Sequence, residues 1–357
     1  MLDARALNRA LLERQMLLRR HRTPVLRAVE RLVAIQAQVP RDPYVALWSR
    51  LDGFRPEALA ARLADRRAVR MTLLRATLHL VTAPDALALR PLIQPVVERM
   101  VYGSSPFRQV AGDADVDELL TFFRQLLEDR PRPRADLVRA AGERWPDRDA
   151  ESLGYAMYLL PTVQVPPRGL WGKSGPSAFT IVDAWLGPSA RASTVDDLVL
   201  RYLAVFGPAT PADVQAWSGL AAMREILERL RPRLRTFRDE RDRELFDVPR
   251  AGLPDPDTPA PVRFLPEFDN VLLGHADRTR IVPSGTPQWG DPGWGSVLVD
   301  GWFSARWRLE RSGGTATLRV DPFRPLSRRD RAAVAAEGDA LLVFLAPGTG
   351  SRGVRLG

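Results

Sequence analysis

Val69-Arg70-Met71-Thr72-Leu73-Leu74 and Thr77-Leu78-His79-Leu80-Val81-Thr82 are two apolar, β-prone runs separated only by Arg75-Ala76, and they read as a β-hairpin. What precedes the hairpin is helical. A first helix is expected over residues 6–18, where Leu7, Leu11 and Leu18 recur at helical spacing. A second starts at Thr23-Pro24, a capping residue followed by proline at the first helical position. Val25, Val29, Leu32, Val33 and Ile35 carry it to a stop near Val39, because Pro40 disfavours helix in the residue before it. Short helices over residues 43–50 and 56–65 follow, and a longer one over 85–100 leads out of the hairpin. Helices closed by a hairpin make the winged-helix form of the helix-turn-helix.

The pattern recurs twice. Helices over 116–128, 134–144 and 151–160 precede strands at 162–165 and 179–182, which flank a Pro/Gly-rich loop at 166–176. Helices over 195–206, 211–218 and 221–230 precede strands at 234–237 and 244–248, with Arg238-Asp239-Glu240-Arg241-Asp242-Arg243 as a charged wing between them. Residues 252–261 form a proline-rich linker. Strands are expected beyond it at 262–265, 270–273, 296–299, 302–309 and 315–320, before a closing helix at 327–345. Such short spacing suggests a small barrel or curled sheet. The fold class expected is α+β: tandem winged-helix domains at 1–112, 113–192 and 193–251, then a β-barrel-like domain at 252–357 with a C-terminal helix.

At 357 residues the chain exceeds one ordinary core. With 45% hydrophobic and 27% charged residues it has a globular composition. The absence of cysteine excludes disulfides, thiolate zinc sites and cysteine nucleophiles. No apolar run approaches the roughly 18 residues of a membrane span and no signal peptide is evident, so a soluble cytoplasmic protein is expected. The net charge of +9 points to a polyanionic partner. Nucleic acid is favoured over an anionic membrane because no basic amphipathic anchor stands out; the plainer alternative is an arginine-rich codon bias. Lys173 is the only lysine, and the planar arginine fork suits phosphate better than a point charge does.

Few residues invite chemistry. His21, His79 and His275 are far apart in sequence and show no ligand spacing, so no metal site is expected, and no cofactor. Gly169-Leu170-Trp171-Gly172-Lys173-Ser174-Gly175 lacks the spacing of a phosphate loop. The informative stretch is Ala34-Ile35-Gln36-Ala37-Gln38-Val39-Pro40-Arg41-Asp42-Pro43-Tyr44. Two glutamines one residue apart in a continuing helix would point about 200° apart. If the helix breaks at Gln38, both amides can face one cavity and hold a water between donors and acceptors. The alternative is a capping role on a solvated face.

Those residues also carry a resemblance. Leu32-Val33-Ala34-Ile35-Gln36-Ala37-Gln38 with Arg41-Asp42-Pro43-Tyr44, and Leu74-Arg75-Ala76-Thr77-Leu78-His79-Leu80, resemble the AlkZ/YcaQ-type DNA glycosylases. So do Leu170-Trp171-Gly172-Lys173-Ser174-Gly175, Phe264-Leu265-Pro266-Glu267-Phe268-Asp269-Asn270, His275-Ala276-Asp277-Arg278 and Val299-Asp300-Gly301-Trp302. The resemblance covers most of the chain and implies tandem winged helices with a C-terminal β-barrel. It also implies a catalytic Gln-x-Gln at Gln36 and Gln38, where other members carry Gln-x-Asp.

The expected activity is therefore monofunctional hydrolysis of the N-glycosidic bond of cationic N7-alkylated purines in double-stranded DNA, with bulky adducts and interstrand crosslinks as candidate substrates. Arg75 and His79, on the first hairpin, are expected beside the glutamines; a packed, hydrogen-bonded His79 is the alternative. The stretch holding His275, Asp277 and Arg278 is read as a hairpin that probes a DNA groove, or as an ordinary turn. Asp42 orients a glutamine or caps a turn, and Trp48 belongs to the core or stacks on a lesion. A winged-helix transcription regulator would need the same charge and helices, but it would release no base. A monomer suffices, since a winged-helix array needs no partner to reach DNA.

Overall fold

A computed structural model describes residues 1–111, 115–188, 192–286 and 292–357. The domain boundary expected at residues 112 and 113 lies outside the described residues. α1 (Ala4–Arg14) begins where the Asp3 carboxylate accepts the Ala6 amide. α2 (Val25–Arg31) ends earlier than expected. Val33 takes φ +68°, and the chain then extends as β1 (Ile35–Gln36) instead of remaining helical to residue 39. α3 (Asp42–Arg50) and α4 (Pro56–Ala64) both carry proline in their first turn. β2 (Ala68–Thr72) and β3 (Leu78–Thr82) form the expected hairpin, and α5 (Ala83–Ser104) leaves it.

The second set comprises α6 (Val116–Asp129), β4 (Arg132–Pro133), α7 (Arg134–Arg144) and α8 (Ala150–Leu153), with a 3-10 stretch at Gly154–Leu159 where one longer helix was expected. β5 (Thr162–Val165), β6 (Ala178–Ile181) and α9 (Val182–Leu186) complete it. The third set is α10 (Val195–Phe206), α11 (Pro211–Ser218), α12 (Met223–Leu230), β7 (Arg235–Arg238) and β8 (Glu244–Asp247). Capping boxes Thr194/Asp197 and Thr210/Asp213 start α10 and α11. The first two hairpins share one six-stranded sheet in the order β1-β3-β2-β5-β6-β4, joined where Arg70 pairs with Gln164 and Met71 with Val163.

The C-terminal part is β9 (Arg263–Leu265), α13 (Asn270–Leu273), β10 (Gly295–Val299), β11 (Trp302–Ser312), β12 (Thr315–Pro322), α14 (Arg328–Leu345) and β13 (Ser351–Leu356). It corrects the barrel expectation. The sheet is open, ordered β13-β12-β11-β10-β9, with β13 parallel to β12. Residues 270–273, expected as a strand, are a helical turn because the Asp269 carboxylate caps it at the Val271 amide. One face of the sheet, with Ala305, Trp307, Leu318 and Val320, is buried beneath Val334, Leu341 and Leu342 of α14. The Asp300-Gly301 turn between β10 and β11 docks on α1, where the Asn8 amide donates to the Gly301 carbonyl at 2.9 Å and Arg9 pairs with Asp300. Gly301 has φ +80°, and a Cβ there would lie 2.6 Å from Asn8 Oδ1, so the turn needs glycine. A continuous apolar core runs from Leu11 to Phe303 through all three helical sets. No helix of the described residues is long and apolar enough to cross a membrane.

Candidate functional site

β1 decides the site. The strand ends at Gln36 and the chain bends at Gln38, and the hydrogen bond between their side-chain amides shows that Gln36 and Gln38 project together without any helix. Gln36 stands directly opposite His79 on β3, and the Ala37 amide donates to the Leu78 carbonyl at 2.8 Å. Two buried side chains fix the carbonyls on either side of this strand. Asn270 Nδ2 donates to the Ala34 carbonyl at 2.6 Å. Arg70 Nη2 donates to the Ala37 carbonyl, while its Nη1 engages Gln164 on β5. Gly169 (φ +95°) lies over Arg70, and a Cβ there would come 2.9 Å from Arg70 Cδ. The side chains of Arg70 and Asn270 thus act through the backbone between and before the glutamines; Asn270 ends one of the family-like stretches and Arg70 lies in the hairpin, but nothing local in the sequence marks a residue that holds a distant carbonyl.

The amides form a short relay. Arg75 Nη2 donates to Gln36 Oε1 at 2.7 Å, and Gln36 Nε2 donates to Gln38 Oε1 at 2.5 Å. Arg75 Nη1 also donates to the Trp217 carbonyl at 2.8 Å, tying the first hairpin to α11. Gln36 is buried, whereas Gln38 is exposed. Burial lowers the Arg75 pKa to about 10, and the nearby charge of Arg278 adds to the shift; Arg75 stays cationic at neutral pH. The structure therefore brings Gln36, Gln38, Arg75 and His79 together, with Arg278 close enough for its charge to be felt.

His79 is wholly buried. Its Nδ1–H donates to the Thr77 carbonyl at 2.9 Å, and its Nε2 has no partner. Burial, then the charge of Arg75, pushes its pKa down to about 3, so it is a neutral packed ring and not an acid. Asp42 is the first residue of α3 and is buried; it neither caps that helix, where Arg41 takes the cap position, nor bonds to a glutamine amide. Burial raises it to about 7. Trp48 packs on Phe344 at 5.9 Å with Arg20 over its face, so it is enclosed by α14 and not offered to a base.

Residues 275–278 are not a hairpin. They run from α13 into a 3-10 turn at Arg278–Arg280 and are docked on α10 and α11. His275 is buried, with Nε2–H donating to the Phe206 carbonyl at 2.9 Å; burial, then Arg280, holds its pKa at about 3. Asp213 accepts the amides of Ala276 and Asp277. Asp277 pairs with Arg241 and Arg243 at 2.9 and 2.8 Å, and against the upward push of burial Thr279 and Arg243 hold it at about 2. The groove-probe expectation is corrected for His275, which is buried with Nε2 bonded inward and Nδ1 without a partner, and for Asp277, whose carboxylate pairs with Arg241, Arg243 and Thr279; Arg278 is exposed.

Among the described residues no cluster of histidines and carboxylates could hold a metal ion. A cleft of about 440 Å³ is lined by Arg41, three residues past Gln38, with Trp171, Gly172, Leu309, Arg311 and Leu345, and includes neither glutamine. A separate cavity of about 860 Å³ lies at the base of the first hairpin, next to Arg27, Arg67 and Asp85, and includes neither glutamine.

Comparison with known proteins gives a consistent family. A family model described as DNA glycosylase AlkZ-like matches residues 29–344. No curated protein sequence matches the chain. Among solved structures the chain is similar to the Streptomyces sahachiroi DNA glycosylase AlkZ, with TM-score 0.74 and 20% identity over 100% of both chains. At that identity the likeness is one of fold.

Proposed function

The chain belongs to the AlkZ-like family of DNA glycosylases, and from that premise we propose that Gln36 and Gln38 position water for hydrolysis of the N-glycosidic bond of N7-alkylated purines. A normal purine is a poor leaving group and needs protonation. An N7-alkylated purine is already cationic, so it departs as a neutral base without a general acid. Water adds to C1′ as the C1′–N9 bond breaks, the bonding pair moves into the purine ring and cancels its charge, and the water proton passes to solvent. What the protein must supply is orientation. Two neutral amides, one buried and pinned and one exposed beside it, suit that task. That arrangement is the observation that carries the reading, and it confines the substrates to cationic, already labile lesions.

The same chemistry applies to bulky N7 adducts and to interstrand crosslinks, where the crosslinked base cannot rotate freely out of the duplex and must be reached through a groove. Arg278, Arg41 and Arg311 are the arginines proposed to meet the backbone near the site. The division into winged-helix units at 1–112, 113–192 and 193–251 and an open-sheet unit at 252–357, acting as a monomer on duplex DNA, belongs to the same proposal. The activity is monofunctional in this reading: a lyase normally needs an amine nucleophile, and the chain has a single lysine, Lys173, in the loop between β5 and β6. Incubation with a duplex containing N7-methylguanine should release free base and leave abasic sites. Binding without release would refute the substrate assignment and restore the regulator reading for this chain.

A further inference from the structure

We propose that Arg75 is the positioning residue that sets which atoms of Gln36 and Gln38 face the substrate, an inference that rests on the catalytic reading of the two glutamines. An amide is nearly symmetric in shape but not in chemistry, since one end donates and the other accepts. A half-turn about its last torsion exchanges the two. A guanidinium carries donors only. With Arg75 Nη2 at 2.7 Å, Gln36 must turn its oxygen inward, and its Nε2 then faces Gln38 at 2.5 Å. Gln38 must in turn present its oxygen. One cation at the buried end thus fixes the sense of both amides. At the exposed end it leaves the second lone pair of Gln38 Oε1 as the acceptor for an O–H of the attacking water. With the sense reversed, a donor would stand there and the water would be turned.

Arg75 is itself held against rotation. It sits in the hairpin turn at φ +55°, and its second nitrogen is bound by the Trp217 carbonyl, 142 residues away in sequence. Gly219, just past α11, has φ +79°; a Cβ there would come 2.8 Å from Val96 and 3.5 Å from Arg75 Cα. The left-handed backbone and the contact with Val96 of α5 favour glycine here, and the Arg75 backbone packs against it at ordinary contact distance. The relay is anchored in the third helical set and read out in the first.

The test is single-turnover excision from an N7-methylguanine duplex at saturating enzyme, with duplex Kd and Tm measured in parallel. Arg75→Met removes the inner donor and should lower the rate constant about 10- to 100-fold, with Kd unchanged within about twofold; Arg75→Lys should recover part of the loss. Gln36→Glu keeps its partner in Arg75 but has no N–H for Gln38, which must flip to donate its own, so it should slow to a similar extent while melting as wild type. This variant decides alone if Arg75→Met does not fold. Gln36→Ala and Gln38→Ala are the controls: wild-type rates in both would refute the catalytic reading and this inference with it. Slow alanine variants beside wild-type rates in Arg75→Met and Gln36→Glu would overturn the inference alone. Weakened Kd with an unchanged saturating rate in Arg75→Met would make Arg75 a phosphate contact and overturn it too.

Discussion

Asn270→Ala probes the site from behind, without touching an amide or the exposed face. Asn270 Nδ2 holds the carbonyl of Ala34, two residues before Gln36, and both residues are buried. Removing the donor leaves that carbonyl dry and unpaired, a penalty of about 1–3 kcal/mol. In a chain larger than about 150 residues each kcal/mol moves Tm by no more than about 2–4 °C, so the melting temperature should fall by roughly 2–10 °C. The rate should be more sensitive than the stability. A strand freed to shift by about 1 Å misplaces both amides, and such a displacement costs about 100-fold in a positioned reaction. Asn270→Asp should be at least as damaging, since it sets an acceptor against an acceptor. The assay is single-turnover excision of N7-methylguanine at saturating enzyme, beside thermal melting and duplex affinity; Kd should not change. A variant that melts lower yet excises at the wild-type rate would refute the argument, leaving Arg70 and β3 as the only restraints that matter.

Three further outcomes follow from the charge and the buried rings. Duplex affinity should fall with salt along a log–log slope of about −4 to −5 if roughly five phosphates are neutralised, measured by titration at several salt concentrations; a slope near zero would remove the electrostatic argument. Borohydride should trap no covalent adduct with DNA, and robust trapping that disappears in Lys173→Ala would show a lyase. His79 and His275 are held at about 3 in the fold against about 6.5 when unfolded. The unfolded chain therefore binds more protons between those values, and stability is lost as pH falls from about 6.5 toward 3; melting across that range should show it, and a flat Tm would contradict the buried, neutral rings.

Much of the architecture was legible because it is local. The runs at 69–74 and 77–82 declare their hairpin, and Thr210-Pro211 with Asp213 carries a complete capping box, so α11 has the bounds expected. The end of α2 was not legible. Leu32, Val33 and Ile35 satisfy helix and strand alike, and the arbiter is β3, more than forty residues on, whose edge pairs with β1. Residues 270–273 failed for a related reason: Val271-Leu272-Leu273 reads as a strand until Asp269 is seen capping the turn. β13, polar and exposed along much of its length, pairs in parallel with β12 and left no hairpin signal.

The same division holds at the site. Gln36 and Gln38 stand out as a pair in the sequence, yet the helical frame expected for them is replaced by a short strand ending at Gln36 and a bend at Gln38, which bring the two amides into contact. Arg75 and His79 are expected beside them from their place on the first hairpin, but the contact from Arg75 to the Trp217 carbonyl has no sequence signature. His275 and Asp277 belong to a motif whose polar atoms turn inward; a motif quoted as a string does not say which of its side chains face out.

The central claim is that the two glutamines govern the chemical step and not folding or DNA affinity. Single-turnover excision of N7-methylguanine by the wild type, Gln36→Ala, Gln38→Ala and Gln38→Asp tests it, with duplex Kd and Tm recorded for each. Both alanine variants should slow base release by roughly 10- to 1000-fold, about 1.4 kcal/mol per factor of ten, while binding and melting as the wild type does. Gln38→Asp, which restores an acceptor, should excise faster than Gln38→Ala. If both alanine variants excise at the wild-type rate, the glutamines are structural and the account of this site is wrong.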